Sequence, residues 1–285
     1  MAVDNFAGLS IVLVIIDNMS SKFQGVPDTL YIPLAARIYA SKRFPDYFYD
    51  EKALSLEKEI PSDSIQKAAG EYYNLASVAR YHNLDAITRV FLDRTGGKGN
   101  VVNLGCGLDT ACHRSGATSP QFYCSDLPEV IATRKRVLGA ESNETLIPGD
   151  LFALEWAEEI DKSLPALIVV SGVFQYFTRE KVTAFVKALT SLFPKGELVF
   201  DAADKIGLAL ANRFVRKSGN TSARMYFYIN DAKAFASETG TSLVECRMFY
   251  TDTRRLLRGR ISFGTAFLMW GSDLLGNGKI IHLDW

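Results

Sequence analysis

Cysteine and histidine are scarce in this 285-residue chain: Cys106, Cys112, Cys124 and Cys246, and only His82, His113 and His282. Four scattered thiols do not make a disulfide scaffold in a chain of this length, and reduced thiols point to a cytoplasmic setting. No CxxC pair occurs and the histidines stand far apart. The ligand spacing of a zinc site is therefore missing, and no metal is expected. An excess of one charge is lacking too, with Lys+Arg and Asp+Glu both at 32. No global field then draws the chain to nucleic acid or to an anionic membrane. The apolar run Leu9 to Ile16 is far short of the roughly 20 residues that span a bilayer. Asp4 stands where an export signal has its basic start, and Asp17 closes the run before any small-residue cleavage site. The run reads as a first helix or extended segment packed on the body. Repeats, low-complexity tracts and Gly/Ser-rich linkers are absent.

What is present is the composition of a globular protein, 48% hydrophobic and 22% charged, in a chain long enough to bury a sizeable core. The first stretch, 1–95, reads as helical. In "TLYIPLAARIYASKRF" the apolar residues Leu30, Leu34, Ala35 and Ile38 form an i, i+4, i+8 stripe. Ser62, Asp63 and Ser64 offer caps for another helix, and "EYYNLASVARYHNLDAITRVFLDR" predicts a long one that Gly96 and Gly97 stop.

From Asn100 the rhythm changes, and 96–285 reads as an α/β core on which the helical segment sits as a cap within the same domain. Strands are predicted at 101–104, 121–125, 145–149, 166–171 and 197–202, with "LPEVIATRKRVL" and "TREKVTAFVKALTSLF" as helices between them. Alternating strands and helices imply βαβ units and a doubly wound, mostly parallel sheet, with a ligand site at the strands' carboxyl ends. A substrate-side insertion is placed around 204–242. Further strands are predicted at "MYFYI" (225–229), "SLVECRMFY" (242–250) and "GKIIHLDW" (278–285), the last two as an antiparallel pair at the sheet edge.

The stretch "VVNLGCGLDT", Val101 to Thr110, carries the chemistry. Gly105 and Gly107 follow a strand directly, in the first βα turn, where a nucleotide-type ligand meets a helix N-terminus. Asp126 ends the next predicted strand, where an acid accepts both hydroxyls of a ribose. A dinucleotide fingerprint would place a third glycine at position 110, which is Thr, and Asp109 sets a negative charge where a pyrophosphate would lie. That repulsion costs about 1–4 kcal/mol. S-adenosylmethionine has the adenosine and ribose without the phosphate, and its ammonium and sulfonium welcome carboxylates. Asp150, after the third strand, either reads the adenine edge together with the Leu151 amide or caps the following helix.

These residues resemble the leucine carboxyl methyltransferase and polyketide O-methyltransferase family of class I enzymes that use S-adenosylmethionine. "VVNLGCGLDTACHR" is similar to its glycine motif, "YCSDLPEVIATRKRVL" to its acidic-Leu-Pro motif, and "GDLFALEW" to its adenine motif. "VVSGVFQYFTREKVTAFVKALTSLFPKGELVFD", "PDTLYIPLAARIYASKRFPDYFYDEKAL", "ARYHNLD" and "GKIIHLDW" extend the resemblance along nearly the whole chain. It implies a Rossmann-like seven-stranded sheet with an antiparallel C-terminal edge strand and an N-terminal helical extension. It also implies that Arg80 holds the cofactor's carboxylate, that Gly105 and Gly107 let backbone approach its methionine part, and that Asp126 and Leu127 bind the ribose. Asp150 and Leu151 would bind the adenine. The chain departs from the pattern at Ser171, where the family usually has Glu, at Ala111, where it has Arg, and at Ala36, where a basic residue precedes Arg37. Neutral Ser171 shifts the load of facing the cofactor's cationic end to Asp109.

The function so implied is methyl transfer from S-adenosylmethionine, leaving S-adenosylhomocysteine, to a carboxylate or hydroxyl of a small molecule such as a polyketide. Tyr176 and Tyr226 are candidates for lining the acceptor pocket, and no residue stands out as a catalytic base. The competing readings are a methyltransferase of protein C-terminal carboxylates, a protein that binds the cofactor without turnover, and, more distantly, a dehydrogenase.

Overall fold

Residues 30–59, 70–116, 121–139, 144–217 and 224–285 are described by the computed structural model. The run Leu9–Ile16 and the caps at Ser62–Ser64 lie outside these residues. Seven strands make one sheet in the order β3-β2-β1-β4-β5-β7-β6. They are β1 (Asn100–Leu104), β2 (Gln121–Asp126), β3 (Glu144–Pro148), β4 (Ala166–Val170), β5 (Gly196–Ala202), β6 (Ser242–Met248) and β7 (Lys279–Asp284). The first five run parallel. β7 is antiparallel to both β5 and β6. The antiparallel C-terminal strand thus lies one place in from the edge, which β6 occupies.

Burial follows the order of the strands. β1, β4 and β5 are buried along their whole length, whereas the edge strand β6 alternates exposed and half-buried positions. That is the difference between a strand covered on both faces and one that meets water. Alternate residues serve opposite faces. Val102, Leu104, Ile168, Val170, Leu198 and Phe200 pack with Trp156, Phe174, Phe185 and Phe235 on one side. Val101, Leu167, Val169, Val199 and Ile280 pack on the other side against Leu84, Ile87 and Phe91 of the long helix.

The helices include α1 (Tyr31–Arg43), the short α2 (Glu51–Ser55) and the long α3 (Glu71–Arg94). α3 has the bounds that the sequence predicts. It ends because Gly96 and Gly97 adopt positive φ, and the Gly97 amide reaches back to Leu92 O at 2.9 Å. The stripe on α1 is buried as expected, Leu34 and Ile38 packing with Leu108, Ala53 and Leu138. Within the sheet's connections lie α4 (Ala111–Arg114), α5 (Pro128–Leu138), α6 (Arg179–Leu192) and α7 (Lys205–Lys217), then α8 (Ala232–Thr239). Between β6 and β7 the chain makes a helical excursion, α9 (Thr251–Leu256) and α10 (Phe263–Leu274), where the sequence reading has only the two strands.

One predicted strand is absent. Residues 225–229 are extended, with Met225, Phe227 and Ile229 buried and Tyr226 exposed, but they join no ladder. The Tyr226 and Phe227 amides both bond Gln175 O, and the Ile229 amide bonds Ala203 O. β7 already covers the free side of β5 from Glu197 to Ala202, so the segment does not extend the sheet there and hydrogen-bonds to Gln175 and Ala203 instead.

Candidate cofactor site

The glycine turn sits at the carboxyl end of β1, in the middle of the sheet. Gly105 and Gly107 have φ of 67° and 49°, a region that L side chains rarely enter. Space is short as well: a Cβ on Gly105 would lie 2.4 Å from Val173 Cγ2, just past β4. Asp126 ends β2 beside the turn. Its Oδ2 accepts the Gly107 amide at 2.8 Å and its Oδ1 the Leu127 amide at 2.8 Å. Burial raises its pKa, against the pull of those two amides and of Arg134. Each oxygen keeps a lone pair for a further donor.

Three further strand ends join this rim. The Gly149 amide bonds Asp126 O at 2.9 Å, which draws the end of β3 to β2. There Asp150 Oδ1 accepts the Phe152 amide at 2.9 Å and caps the 3-10 turn Leu151–Ala153, the second of its two sequence readings. Leu151 lies half-buried beside it, its carbonyl accepting from Trp156 Nε1 at 2.8 Å. Past β4, Gly172 has φ of 72°, and a Cβ there would come within 2.7 Å of Arg80 Nη1. Arg80 of α3 lies 3.5 Å from Asp201 Oδ2 at the end of β5, and Asp201 Oδ1 accepts the Gly172 amide at 2.5 Å. Leu127, 47% exposed, follows Asp126, Tyr176, 40% exposed, lies within electrostatic reach of Arg80, and the Tyr226 amide, next to Tyr176 in space, bonds Gln175 O at 2.7 Å.

Two buried polar atoms here have no partner among the described residues: Ser171 Oγ and Arg80 Nε. Such groups are costly unless something satisfies them. A cationic guanidinium at one end, a carboxylate with spare lone pairs at the other, an orphaned hydroxyl and glycines that bare the backbone suit a zwitterionic nucleoside derivative. The residues fit S-adenosylmethionine in the character of their donors.

Asp109, expected to face the cofactor's cationic end, is already engaged within the protein. Its carboxylate is engaged by Asn103 Nδ2 at 2.9 Å, the Thr110 amide at 2.7 Å and Arg114 Nη1 at 2.9 Å, with Arg37 Nη1 at 3.8 Å. Burial pushes its pKa up, but the Arg114 and Arg37 charges outweigh that and hold it at about 2. The reason is local crowding by cations. Arg114 also forks onto Asp85 at 2.8 Å and 2.8 Å, and Asp50 joins Arg37 at 2.9 Å.

Two arginines that hold the turn are given no role in the sequence reading. The carbonyls of Gly107, Leu108 and Asp109 all accept from buried arginines: Arg134 bonds the first at 3.1 Å and the third at 2.6 Å, and Arg37 the second at 2.5 Å. Arg134 shares the helical face of Val130, Ile131 and Leu138, and Arg37 neighbours the buried Leu34 and Ile38. A charge placed on an apolar stripe was the available signal. Asp201 lies on a fully buried strand, at the end of the quoted segment that runs from Val169, where the sequence reading gives it no role.

A cavity of about 410 Å³ opens elsewhere, on the α2 and α4 flank, lined by Tyr49, Glu51, Lys52, Ser55, His113 and Arg114. Its Arg114 is already engaged by Asp85 and Asp109. Among the described residues no group of three or more His, Cys, Asp or Glu is arranged to hold a metal ion, and no helix is long and apolar enough to cross a membrane.

Comparison with known proteins gives a match to the family model for leucine carboxyl methyltransferase over residues 20–190. The chain is 22% identical to the S-adenosyl-L-methionine-dependent methyltransferase dpfgK of Gibberella zeae, over 89% of this chain and 92% of that protein. It is 24% identical to the tetracenomycin polyketide synthesis O-methyltransferase TcmP of Streptomyces glaucescens, over 70% of this chain and 75% of the other. Among solved structures, a protein of Thermobifida fusca assigned as a methyltransferase superposes with a TM-score of 0.55 at 17% identity. That alignment covers 87% of this chain and 93% of the other, and it shows the shared fold.

Proposed function

Because the chain belongs to the leucine carboxyl methyltransferase family, we propose that it is an S-adenosylmethionine-dependent O-methyltransferase whose acceptor is a carboxylate or hydroxyl of a small, polyketide-like molecule. The observation that carries this reading is the rim from Asp126 through Gly107, Gly105 and Gly172 to Arg80 and its partner Asp201, which spans the carboxyl ends of the four neighbouring strands β2, β1, β4 and β5. When bound, the cofactor supplies a methyl group already activated on a positively charged sulfur.

The chain's residues then bind and orient. Asp126, pinned by two amides, offers both carboxylate oxygens to the ribose hydroxyls. Arg80 would offer its guanidinium to the amino-acid carboxylate, and Ser171 and Asp201 would accept from the ammonium. Leu151 and Asp150 flank the adenine end. Tyr176 and Tyr226, both partly exposed at the mouth, present aromatic faces to the acceptor. The likeness to an O-methyltransferase of polyketide synthesis in Streptomyces supports a polyketide-like acceptor.

No imidazole is needed for an acceptor that arrives ionised. His82 stacks on Tyr47 and His282 bonds Glu197 at 2.8 Å, both away from this mouth. The reaction then rests on holding the acceptor oxygen in line, and positioning of that kind can supply roughly 7–11 kcal/mol. Isothermal calorimetry with S-adenosylhomocysteine tests the cofactor reading. Micromolar binding that Asp126→Ala abolishes supports it, and a folded protein that binds neither cofactor nor product overturns it. Methyl transfer to aromatic carboxylic acids and phenols, followed by product release, separates an enzyme from a binding protein.

A further inference from the structure

Helix α10 carries an apolar stripe on its outer side. Phe263 is 86% exposed, Phe267 57%, Trp270 47% and Leu274 68%. The opposite side, with Thr265, Met269 and Ser272, is buried, Met269 packing with Tyr72 and Leu75 of α3 and with Phe44 just past α1. The helix is therefore fully seated on the body, and its outer aromatics are additional to what that seating requires. The rings are already ordered among themselves: Phe263 stacks on Phe267 at 6.4 Å, and Phe267 meets Trp270 at 5.8 Å.

The spacing of the stripe, 263, 267, 270 and 274, is the 4-3-4 seam by which one helix packs along another. Gly264 and Gly271 lie beside it with nothing within 4 Å of a Cβ, which leaves room for a second backbone to approach. At these exposures the three aromatics alone present roughly 300–500 Å² of apolar surface, the size of the largest patch on a typical lone protein, which is often functional.

We propose that α10 is the contact helix of a homodimer, two copies pairing their stripes across a twofold axis. A two-fold contact uses the same patch on both copies, as a single symmetric seam does. Doubling the aromatic area and adding Leu274 and Leu275 brings the buried surface to about 1,000 Å², which a specific interface needs. Charge argues against an anionic lipid surface as the occupant. Of the four arginines leading into α10, Arg254 pairs with Asp273 at 3.1 Å, Arg255 with Asp252 at 2.8 Å, and Arg260 with Asp46. The flank is thereby largely neutralised, whereas a membrane-surface helix depends on surplus Lys and Arg. α10 itself carries one ionisable residue, Asp273, and that faces Arg254 and the Tyr250 amide.

The test is sedimentation velocity of the full chain across the micromolar range, beside Phe267→Glu and the milder Phe263→Ser, each checked for unchanged circular dichroism. The wild type is expected to be a dimer, with the dissociation constant raised at least a hundredfold in Phe267→Glu and less in Phe263→Ser. Emission from Trp270 should move to longer wavelength as the copies separate. A monomeric wild type overturns the proposal, as does a dimer that survives both substitutions. Flotation of a monomeric wild type with phosphatidylserine vesicles would overturn it in favour of a lipid surface.

Discussion

Arg80 on α3 and Asp201 on β5 face each other at 3.5 Å, while the second oxygen of Asp201 holds the Gly172 amide at 2.5 Å. One carboxylate thus fixes both the guanidinium and the glycine turn after β4. Arg80→Lys keeps the charge and loses the planar fork, so affinity for S-adenosylhomocysteine should fall by roughly 10–100-fold, the worth of one charged hydrogen bond. Asp201→Asn still accepts from Gly172 and should lose less. Calorimetry reads both, and unchanged affinity in Arg80→Lys removes Arg80 from the site.

Gly105 and Gly97 share a positive φ, but only Gly105 is crowded. Gly97→Ala, with nothing near its Cβ, should cost about 1–2 kcal/mol from backbone strain. Gly105→Ala adds a clash with Val173 and should cost about 3 kcal/mol or more. Trimming the neighbour, in Gly105→Ala with Val173→Ala, should recover part of that loss. Thermal or urea unfolding decides, and equal costs at the two positions would refute the crowding argument.

Asp109 contributes to acid stability. Its folded pKa of about 2 lies below the unfolded value near 3.9. The stabilisation is therefore fully present above pH ~4 and is lost as pH falls toward 2, on the order of 2–3 kcal/mol in all. Asp109→Asn should be less stable than wild type by about 3 kcal/mol at neutral pH, since it leaves Arg114 and Arg37 short of a counter-charge. The gap should close as pH approaches 2. A gap that stays constant across this range would place the cost elsewhere.

At the mouth, Tyr176→Ala and Tyr226→Ala should raise KM for the acceptor roughly tenfold, the loss of one aromatic contact. Cofactor-product affinity should stay as it is. Steady-state kinetics against calorimetry separates the two, and a parallel loss of cofactor binding would move these tyrosines out of an acceptor role.

The sequence conveys the strands of the sheet and the long helix α3 clearly, because central parallel strands are continuous apolar runs and α3 ends at a glycine pair. It misleads at 225–229, whose alternation is real but whose edge is taken by β7, a competition between segments that no local pattern records. The excursion through α9 and α10 escapes notice because its apolar outer face does not read as an amphipathic helix. In the site, the glycine turn and Asp126 are legible from their offsets after strands. The role of Asp109 is not, since it is decided by arginines 5 and 72 positions away along the chain, Arg114 and Arg37.

Three consecutive carbonyls of the glycine turn hang from Arg134 and Arg37, and Arg37 belongs to α1, which precedes every strand. The turn is therefore not a property of the βαβ frame alone. A version trimmed to the sheet and its flanking helices would keep the glycines but lose the strut behind Leu108, and with it the shape that faces the ligand. Any transplant of this site onto another α/β scaffold must carry α1 along, and natural exchange of N-terminal segments between related chains would retune the cofactor loop from a distance.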